Sequence, residues 1–437
     1  MRRHIFPLWL LYALMVLSAS PVIAQGGEER QPITPQSAVW LEATASLAGA
    51  AETASGLAFS PDGSLLASGG PEGVLFLWDT AAGERVATLL DPDEAALPDV
   101  TSLAYRPDGD VLAAGDAGGA IRLWDQAAGE ITVMLAAGDS AVTSLAFDPS
   151  GSLLAAGMED GGLQVWNLVA GEPPAVLDGH TGAVTGLAFL AGGDALASGG
   201  ADGAIWLWDM PGGEPRQFAD TGAAVLHLAA SPDGAILAAA LDDGAIRLWD
   251  TASGEVRAIL QPPEDAGFTR VGFVPGGALL VAGTADGSLT VWEIASGELI
   301  VALHGHDGAV TGLDVSAGGD LIATSGADRA IRLWLVPLEA QGALAGDPAA
   351  GAALFVEVGC VECHASEPGA ISVGPAIDIM AREAGARVQG MASQEYLSMS
   401  ITQPHTTIVN GFPTLLPNFD LTEQEVADLI AYILTFR

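Results

Sequence analysis

Two cysteines occur in the 437-residue chain, Cys360 and Cys363, and a histidine follows the second directly, giving Cys360-Val361-Glu362-Cys363-His364. Two thiols inside one motif cannot build a disulfide framework, so their use is local: a redox pair, metal ligands or attachment of a cofactor. On a helical turn residues i and i+3 share a face, roughly 5–6 Å apart. Each thiol can then add to one vinyl group of a porphyrin, and a histidine placed directly after them can ligate the iron from the proximal side. Cys-x-x-Cys-His is the attachment signature of c-type haem. A redox pair wants a βαβ setting, whereas a helical pattern surrounds this motif. A zinc site wants four ligands, and there is no second cysteine pair. The reading is one covalent haem c, with thioethers from Cys360 and Cys363 and with His364 as the proximal iron ligand.

The elements that must position this motif are helices. Asp347-Pro348 has the form of an N-cap followed by proline at the first helical position. Gly351, Leu354, Phe355 and Val358 then fall on one face of a helix that leads into Cys360. Near the C-terminus, Thr422-Glu423-Gln424-Glu425 is a capping box, followed by Val426, Leu429, Ile430, Ile433 and Leu434 at helical spacing.

Residues 346–437 resemble a class I cytochrome c domain over their whole length. The resemblance implies that the backbone of the Gly374-Pro375 turn, at Pro375, accepts the Nδ1–H of His364, a bond that holds the imidazole tautomer and tunes the iron. It also implies that Tyr432 packs the last helix across the first near Gly351 and Phe355. One stretch departs from the family. Where the family has Met-Pro-x-Phe, this chain reads Leu416-Pro417-Asn418-Phe419, and leucine cannot coordinate iron. The sixth position is therefore open, or is filled by another side chain such as His405, Met399 or Met391. His405 reads first as a loop residue and Met399 as helix packing, so the sixth ligand stays unassigned.

The rest of the chain is a repeat. Trp78, Trp124, Trp166, Trp208, Trp249, Trp292 and Trp334 are spaced 46, 42, 42, 41, 43 and 42 residues apart. Each lies at the end of a short alternating strand such as Ala120-Ile121-Arg122-Leu123-Trp124-Asp125. About 15 residues before several of them stands a Pro-Asp-Gly turn, at 61–63, 107–109 and 232–234; proline presets φ there and glycine accepts φ > 0. One strand lies between turn and tryptophan, one before the turn, and a fourth after a Gly-Glu pair. Four strands in about 42 residues, repeated, is the pattern of propeller blades. Glutamates 84, 130, 172, 214, 255 and 298 mark outer strands, and Leu41-Glu42-Ala43-Thr44-Ala45-Ser46-Leu47 supplies a seventh copy upstream. That copy is expected to complete the blade of Trp334 and so remove exposed sheet edges; Leu338-Glu339-Ala340-Gln341 is a fainter rival.

Residues 38–336 resemble a WD-repeat β-propeller. The Trp-Asp pair stands at 78–79, 124–125, 208–209 and 249–250, and the Gly-His pair at 179–180 and 305–306. The resemblance implies a buried hydrogen-bond chain of His180, Ser198, Asp202 and Trp208 in one repeat, and of His306, Thr324, Asp328 and Trp334 in another. Repeats without the histidine are expected to hold together mostly by packing. The fold class is thus multidomain: an all-β seven-bladed WD40-type propeller (38–336), a linker (337–345), and a small all-α cytochrome c domain (346–437). His180, His227, His304 and His306 lie at unmatched positions, with His304 expected in a turn, so no metal site is expected among them. The propeller reads by default as a binding surface.

All 15 basic residues are arginine, against 54 Asp+Glu, a formal charge of −39. Without lysine there is no Walker A loop, Schiff-base enzyme or Ser-Lys hydrolase. Such a surface repels nucleic acid and anionic membrane. Residues 1–24 combine Arg2 and Arg3, an apolar run over 5–19 and small residues before Gln25, the pattern of a secretory signal peptide. The run of about 15 apolar residues is short for a bilayer span of roughly 20, so cleavage is favoured over an uncleaved anchor and no membrane span is expected after it. Residues 25–37 read as a flexible lead-in. The expected location is extracytoplasmic, periplasmic or secreted. Within 346–437, three Arg face eleven Asp/Glu, a net −8. A redox partner protein is therefore expected to be basic, to dock through apolar contacts, or to be the propeller itself. The function read from these features is electron transfer by haem c with the propeller as docking module. The alternative is a haem-dependent oxidoreductase that acts on a small oxidant or a propeller-bound substrate through an open distal iron site.

Overall fold

The computed structural model describes residues 30–35, 37–38, 41–47, 56–90, 97–210, 215–263, 266–336, 348–357 and 423–434. The strands form seven four-stranded antiparallel sheets. Their inner strands are Leu57–Phe59, Val100–Tyr105, Val142–Phe147, Val184–Phe189, Val225–Ala230, Phe268–Phe273 and Val310–Val315, here blades 1 to 7. Each inner strand packs against those of its two neighbours, and blade 7 packs against blade 1, so the ring is closed around an axis.

The turns that set the strand spacing are built as their residues dictate. At Pro61-Asp62-Gly63 the Asp62 carboxylate accepts from the Ser60 hydroxyl at 2.6 Å and from the Ser64 amide at 3.0 Å, while Gly63 takes φ 70°. That conformation is nearly free for glycine and costly for other residues. The Ser60 and Ser64 bonds hold the Asp62 carboxyl below its usual range.

Between blades the packing follows one rule. Each of the seven strand-end tryptophans is buried, and each packs into the preceding blade. Trp124 sits with Leu75 and Leu77 of blade 1, Trp208 with Leu163 and Val165 of blade 3, and Trp78 with Ile331 and Leu333 of blade 7. Burying a side chain of that size at an interface makes the ring additive: removing one tryptophan costs about 3–5 kcal/mol.

Closure uses the N-terminal copy. Glu42–Leu47 pairs antiparallel with Ile331–Leu335 as the outer strand of blade 7. The rival at 338–341, the linker 337–345 and residues 1–24 lie outside the described residues. A polar bond crosses the same joint: the Phe59 amide of blade 1 donates to Asp314 of blade 7 at 2.7 Å, across 255 residues of chain.

Two helices follow the propeller in the chain, α1 (Pro348–Glu357) and α2 (Glu423–Leu434). They pack on each other, with Phe355 and Tyr432 edge to face at 5.4 Å between ring centroids. Phe355, Val426, Leu429, Ile430 and Ile433 are buried, in one apolar cluster with Ile33, Val274 and Val336 of the β region. No helix among the described residues is long and apolar enough to cross a membrane.

Candidate functional site

Cys360, Cys363, His364, Pro375, Met391, Met399, His405 and Leu416 lie outside the described residues. What the structure describes is the scaffold on either side of them in the chain. α1 ends at Glu357, three residues before Cys360. Its partner α2 crosses it at Gly351, where an added Cβ would lie 1.9 Å from the Asp428 carbonyl oxygen and 2.9 Å from the Tyr432 Cβ. Only glycine permits that approach, so the crossing point is set by one residue. The two thiols and the imidazole are the donor set that haem c requires, and α1 leads the chain towards them.

The polar interiors of blades 4 and 7 are built from the residues named from sequence. In blade 4, His180 Nδ1 lies 3.1 Å from Asp202 and Nε2 lies 2.8 Å from the Ser198 hydroxyl, which accepts from Trp208 Nε1 at 2.8 Å. In blade 7, His306 Nδ1 lies 2.9 Å from Asp328, Nε2 lies 2.8 Å from the Thr324 hydroxyl, and Trp334 Nε1 donates to Thr324 at 2.8 Å. In blade 4, with Trp208 donating to the hydroxyl and the hydroxyl to Nε2, His180 carries its proton on Nδ1 and donates to Asp202; in blade 7 the Arg332 guanidinium, a donor only, also lies 2.6 Å from His306 Nδ1. Burial pushes Asp328 up, but bonds from His306 and Arg332 outweigh it and hold the carboxyl well below the usual range. Burial also drives His306 down, against the pull of Asp328. These chains brace the blades; they offer no open position to a ligand.

Two of the five blades lacking the histidine add an Arg–Asp pair to their packing, and one expectation, on His304, needs correction. In blade 2, Arg122 donates to Asp116 at 2.5 Å, and Asp116 also accepts from the Gly118 and Ala120 amides at 2.8 and 3.0 Å. In blade 5, Arg247 pairs with Asp243 and donates to the Thr221 carbonyl at 2.6 Å. Each arginine stands two residues before its tryptophan, on the same face of the strand by the period-2 rule, and reaches back to the turn aspartate. In addition, His304 is not in a turn. It ends the outer strand Leu299–His304 and pairs with Ser288, because that strand runs its full length against its neighbour before Gly305.

Sequence reasoning missed a belt of inner-strand threonines. Thr101, Thr143, Thr185 and Thr269 each reach a carbonyl of their own second strand and the first inner-strand carbonyl of the next blade, as Thr101 does to Gly115 at 3.0 Å and Val142 at 2.5 Å. The recurring Val-Thr at 100–101, 142–143 and 184–185 was the available signal. Three charged or polar inner-strand groups break the pattern: His227, Arg270 and Asp314. Burial, then the nearby Arg270 charge, pushes the His227 imidazole down to about 3. Burial pushes Asp314 up to about 6.

Asp314 carries a pH prediction. Its folded pKa lies above the ordinary value of 3.8, so the folded state holds the proton more tightly. Stability from this group is therefore lost as pH rises from about 4 through about 6, and the full penalty stands above that. Asp314→Asn keeps an acceptor for the Phe59 amide without the charge. The variant is expected to gain about 1–3 kcal/mol over wild type at pH 8 and to match it near pH 4. Urea melts of the propeller at the two pH values check this; a gain that is the same at both would refute it.

Among the described residues no group of three or more His, Cys, Asp or Glu side chains is placed to hold a metal ion. Comparison with known families gives two matches. The family described as WD domain, G-beta repeat matches seven times, over residues 42–79, 85–125, 130–167, 171–209, 214–250, 254–293 and 297–334. Each match begins near the outer strand of one blade and ends at the tryptophan of the next, so the sequence repeat is offset by one strand from the blade. That offset is why 42–47 belongs to blade 7. The family described as Cytochrome c matches residues 348–437. No curated protein matches the chain.

Proposed function

Because this chain belongs to the WD-repeat family and ends in a cytochrome c domain, we propose that it is an extracytoplasmic electron-transfer protein whose propeller docks a redox partner. The observation that carries the reading is that the only two cysteines stand as Cys360-Val361-Glu362-Cys363-His364 inside the cytochrome c match. Cys360 and Cys363 hold one haem c through thioethers, and His364 holds the iron. When bound, the haem supplies one-electron exchange. The chain's own part is to keep that group anchored in the segment that follows α1, with the Pro375 carbonyl orienting the His364 ring. The propeller supplies docking area. Its outer strands expose Val86, Met134, Val176 and Ile259, apolar contacts available on a surface that otherwise repels acidic partners. A basic partner meets the acidic remainder. The N-terminal pattern of residues 1–24 supports a location outside the cytoplasm.

Leu416 at the family's methionine position favours one second reading, in which an open iron face reduces a small oxidant. Ferrous protein exposed to carbon monoxide separates the two. A carrier with a filled sixth position shows no rapid spectral change, whereas rapid conversion to a carbon monoxide adduct overturns the simple carrier and leaves the oxidant-reducing reading.

A further inference from the structure

The turns between the first and second strands of successive blades touch one another. A Cβ on Gly109 would lie 3.6 Å from Pro61, one on Gly319 would lie 3.4 Å from Pro275, and one on Gly63 would lie 3.8 Å from Ser316. These turns therefore make one continuous face of the ring, its underside. Residues ahead of the closing strand are held on that face. The Ile33 amide donates to the Gly319 carbonyl of the blade 7 turn at 2.8 Å, and the Arg30 guanidinium lies 3.8 Å from the Asp320 carboxylate. Thr34 and Ser37 then close a turn, each backbone amide donating to the other's hydroxyl, at 2.9 and 3.1 Å. The Ala38 amide donates to the Thr34 carbonyl at 2.8 Å, and the chain leaves the underside for the strand Glu42–Leu47.

Ile33 is the one large apolar residue of the stretch Arg30-Gln31-Pro32-Ile33-Thr34-Pro35, yet it is only 4% exposed. Two polar contacts to a surface turn do not enclose a side chain; other apolar groups must cover it. Its cluster holds Val274 of the blade 6 turn and Val336, which like Ile33 lie outside the strands, together with Phe355, Leu429 and Ile433 of α1 and α2. The tether alone does not bring the helices there. Eleven residues separate Val336 from Pro348, since 348 − 336 − 1 = 11, and an extended chain of that length spans about 40 Å. Shared apolar burial is what places the pair.

We propose that residues 30–38 are a strap that seats the helix pair on the underside of blades 6 and 7, with Ile33 as the wedge between them, so that the two modules move as one body. Ile33 is a positioning residue: it touches no reacting group, and it sets where α1 sits relative to the ring. The haem motif begins three residues after α1. On the haem reading above, on which this consequence alone rests, the iron is then held at one distance from a partner docked on the propeller.

Pulsed electron–electron double resonance on the full haem-loaded chain tests this. Nitroxides are placed on Ala127→Cys, at an exposed position in the outer hairpin of blade 2, and on Val356→Cys, on the exposed face of α1. With the native thiols held in thioethers, mass shows two labels per chain. Four labels would instead show that haem attachment has failed, and the same pair is then measured in the Cys360→Ala, Cys363→Ala background, so the distance is read in either case. The labelled chain with Ile33 intact is expected to give one narrow distance distribution. Ile33→Ser is expected to widen it at least two-fold, and Ile33→Val to keep it narrow. Should the propeller of Ile33→Ser not fold, by its tryptophan fluorescence, Val274→Ser opens the same cluster from the blade 6 turn and is expected to widen it likewise. A wide distribution with Ile33 intact, or an unchanged narrow one in whichever of the two serine variants folds, would overturn the proposal.

Discussion

Replacing Cys360 and Cys363 together by alanine is expected to abolish covalent haem entirely while leaving the propeller folded. The two halves of this result have separate causes. A thioether needs a thiol, and the chain has no others, so no alternative attachment exists; His364 alone can hold iron only by coordination, which denaturant breaks. The propeller, in turn, closes with its own N-terminal strand, Glu42–Leu47 on Ile331–Leu335, and takes no strand from beyond Leu335 among the described residues. The cytochrome c match holds no tryptophan, so tryptophan fluorescence follows the propeller and not that domain. The measurement is paired: haem staining and mass after denaturation, and a fluorescence melt. Tetrapyrrole mass retained by the double variant would sink the attachment assignment. Each single variant keeps one linkage and is expected to stay coloured.

Gly351→Ala is expected to break the helix pair that supports the haem motif. The new Cβ would stand 1.9 Å from a backbone oxygen and 2.9 Å from a Cβ. Neither atom can rotate away, so α1 and α2 must separate, and Phe355 and Tyr432 lose their edge-to-face contact. Forced overpacking costs typically 1–3 kcal/mol and more when backbone must move, so about 3 kcal/mol or more is expected here. A small module stands on about 5–10 kcal/mol in total, so most of its margin would go, and with it efficient haem incorporation. Urea unfolding of the full chain followed by helical circular dichroism and by the haem band checks this. Val356→Ala, on the exposed face of the same helix, is the control. A wild-type midpoint for Gly351→Ala would show that the helices cross elsewhere.

The repeating framework was open to reading because its signals are local. A tryptophan every 41 to 46 residues, a Pro-Asp-Gly turn before it and a glutamate after it mark strands by backbone preference and alternation, which neighbours along the chain impose. The seventh outer-strand copy at 41–47 carried the closure too, since a ring of seven sheets needs seven outer strands. The Cys360-x-x-Cys363-His364 chemistry was equally local, being a matter of spacing within one turn. The helix pair was half local: Phe355 was placed by its helix face and Tyr432 by the family resemblance, but the demand for glycine at 351 came from a carbonyl 77 residues away, as 428 − 351 gives.

The sequence by itself therefore determined the elements, their order, the number of blades and the residues fit to anchor a haem. Only the tertiary structure decided which polar groups meet. Arg122 meets Asp116 at 2.5 Å only because the turn brings that carboxylate back against the strand. His227, Arg270 and Asp314, from three different repeats, reach the inner strands of one ring only through its closure, with Asp314 bonded to an amide 255 residues distant. The reason is physical. Periodicity is written by each segment's own backbone and burial, whereas a polar contact across a ring depends on the angle through which every intervening blade turns the chain.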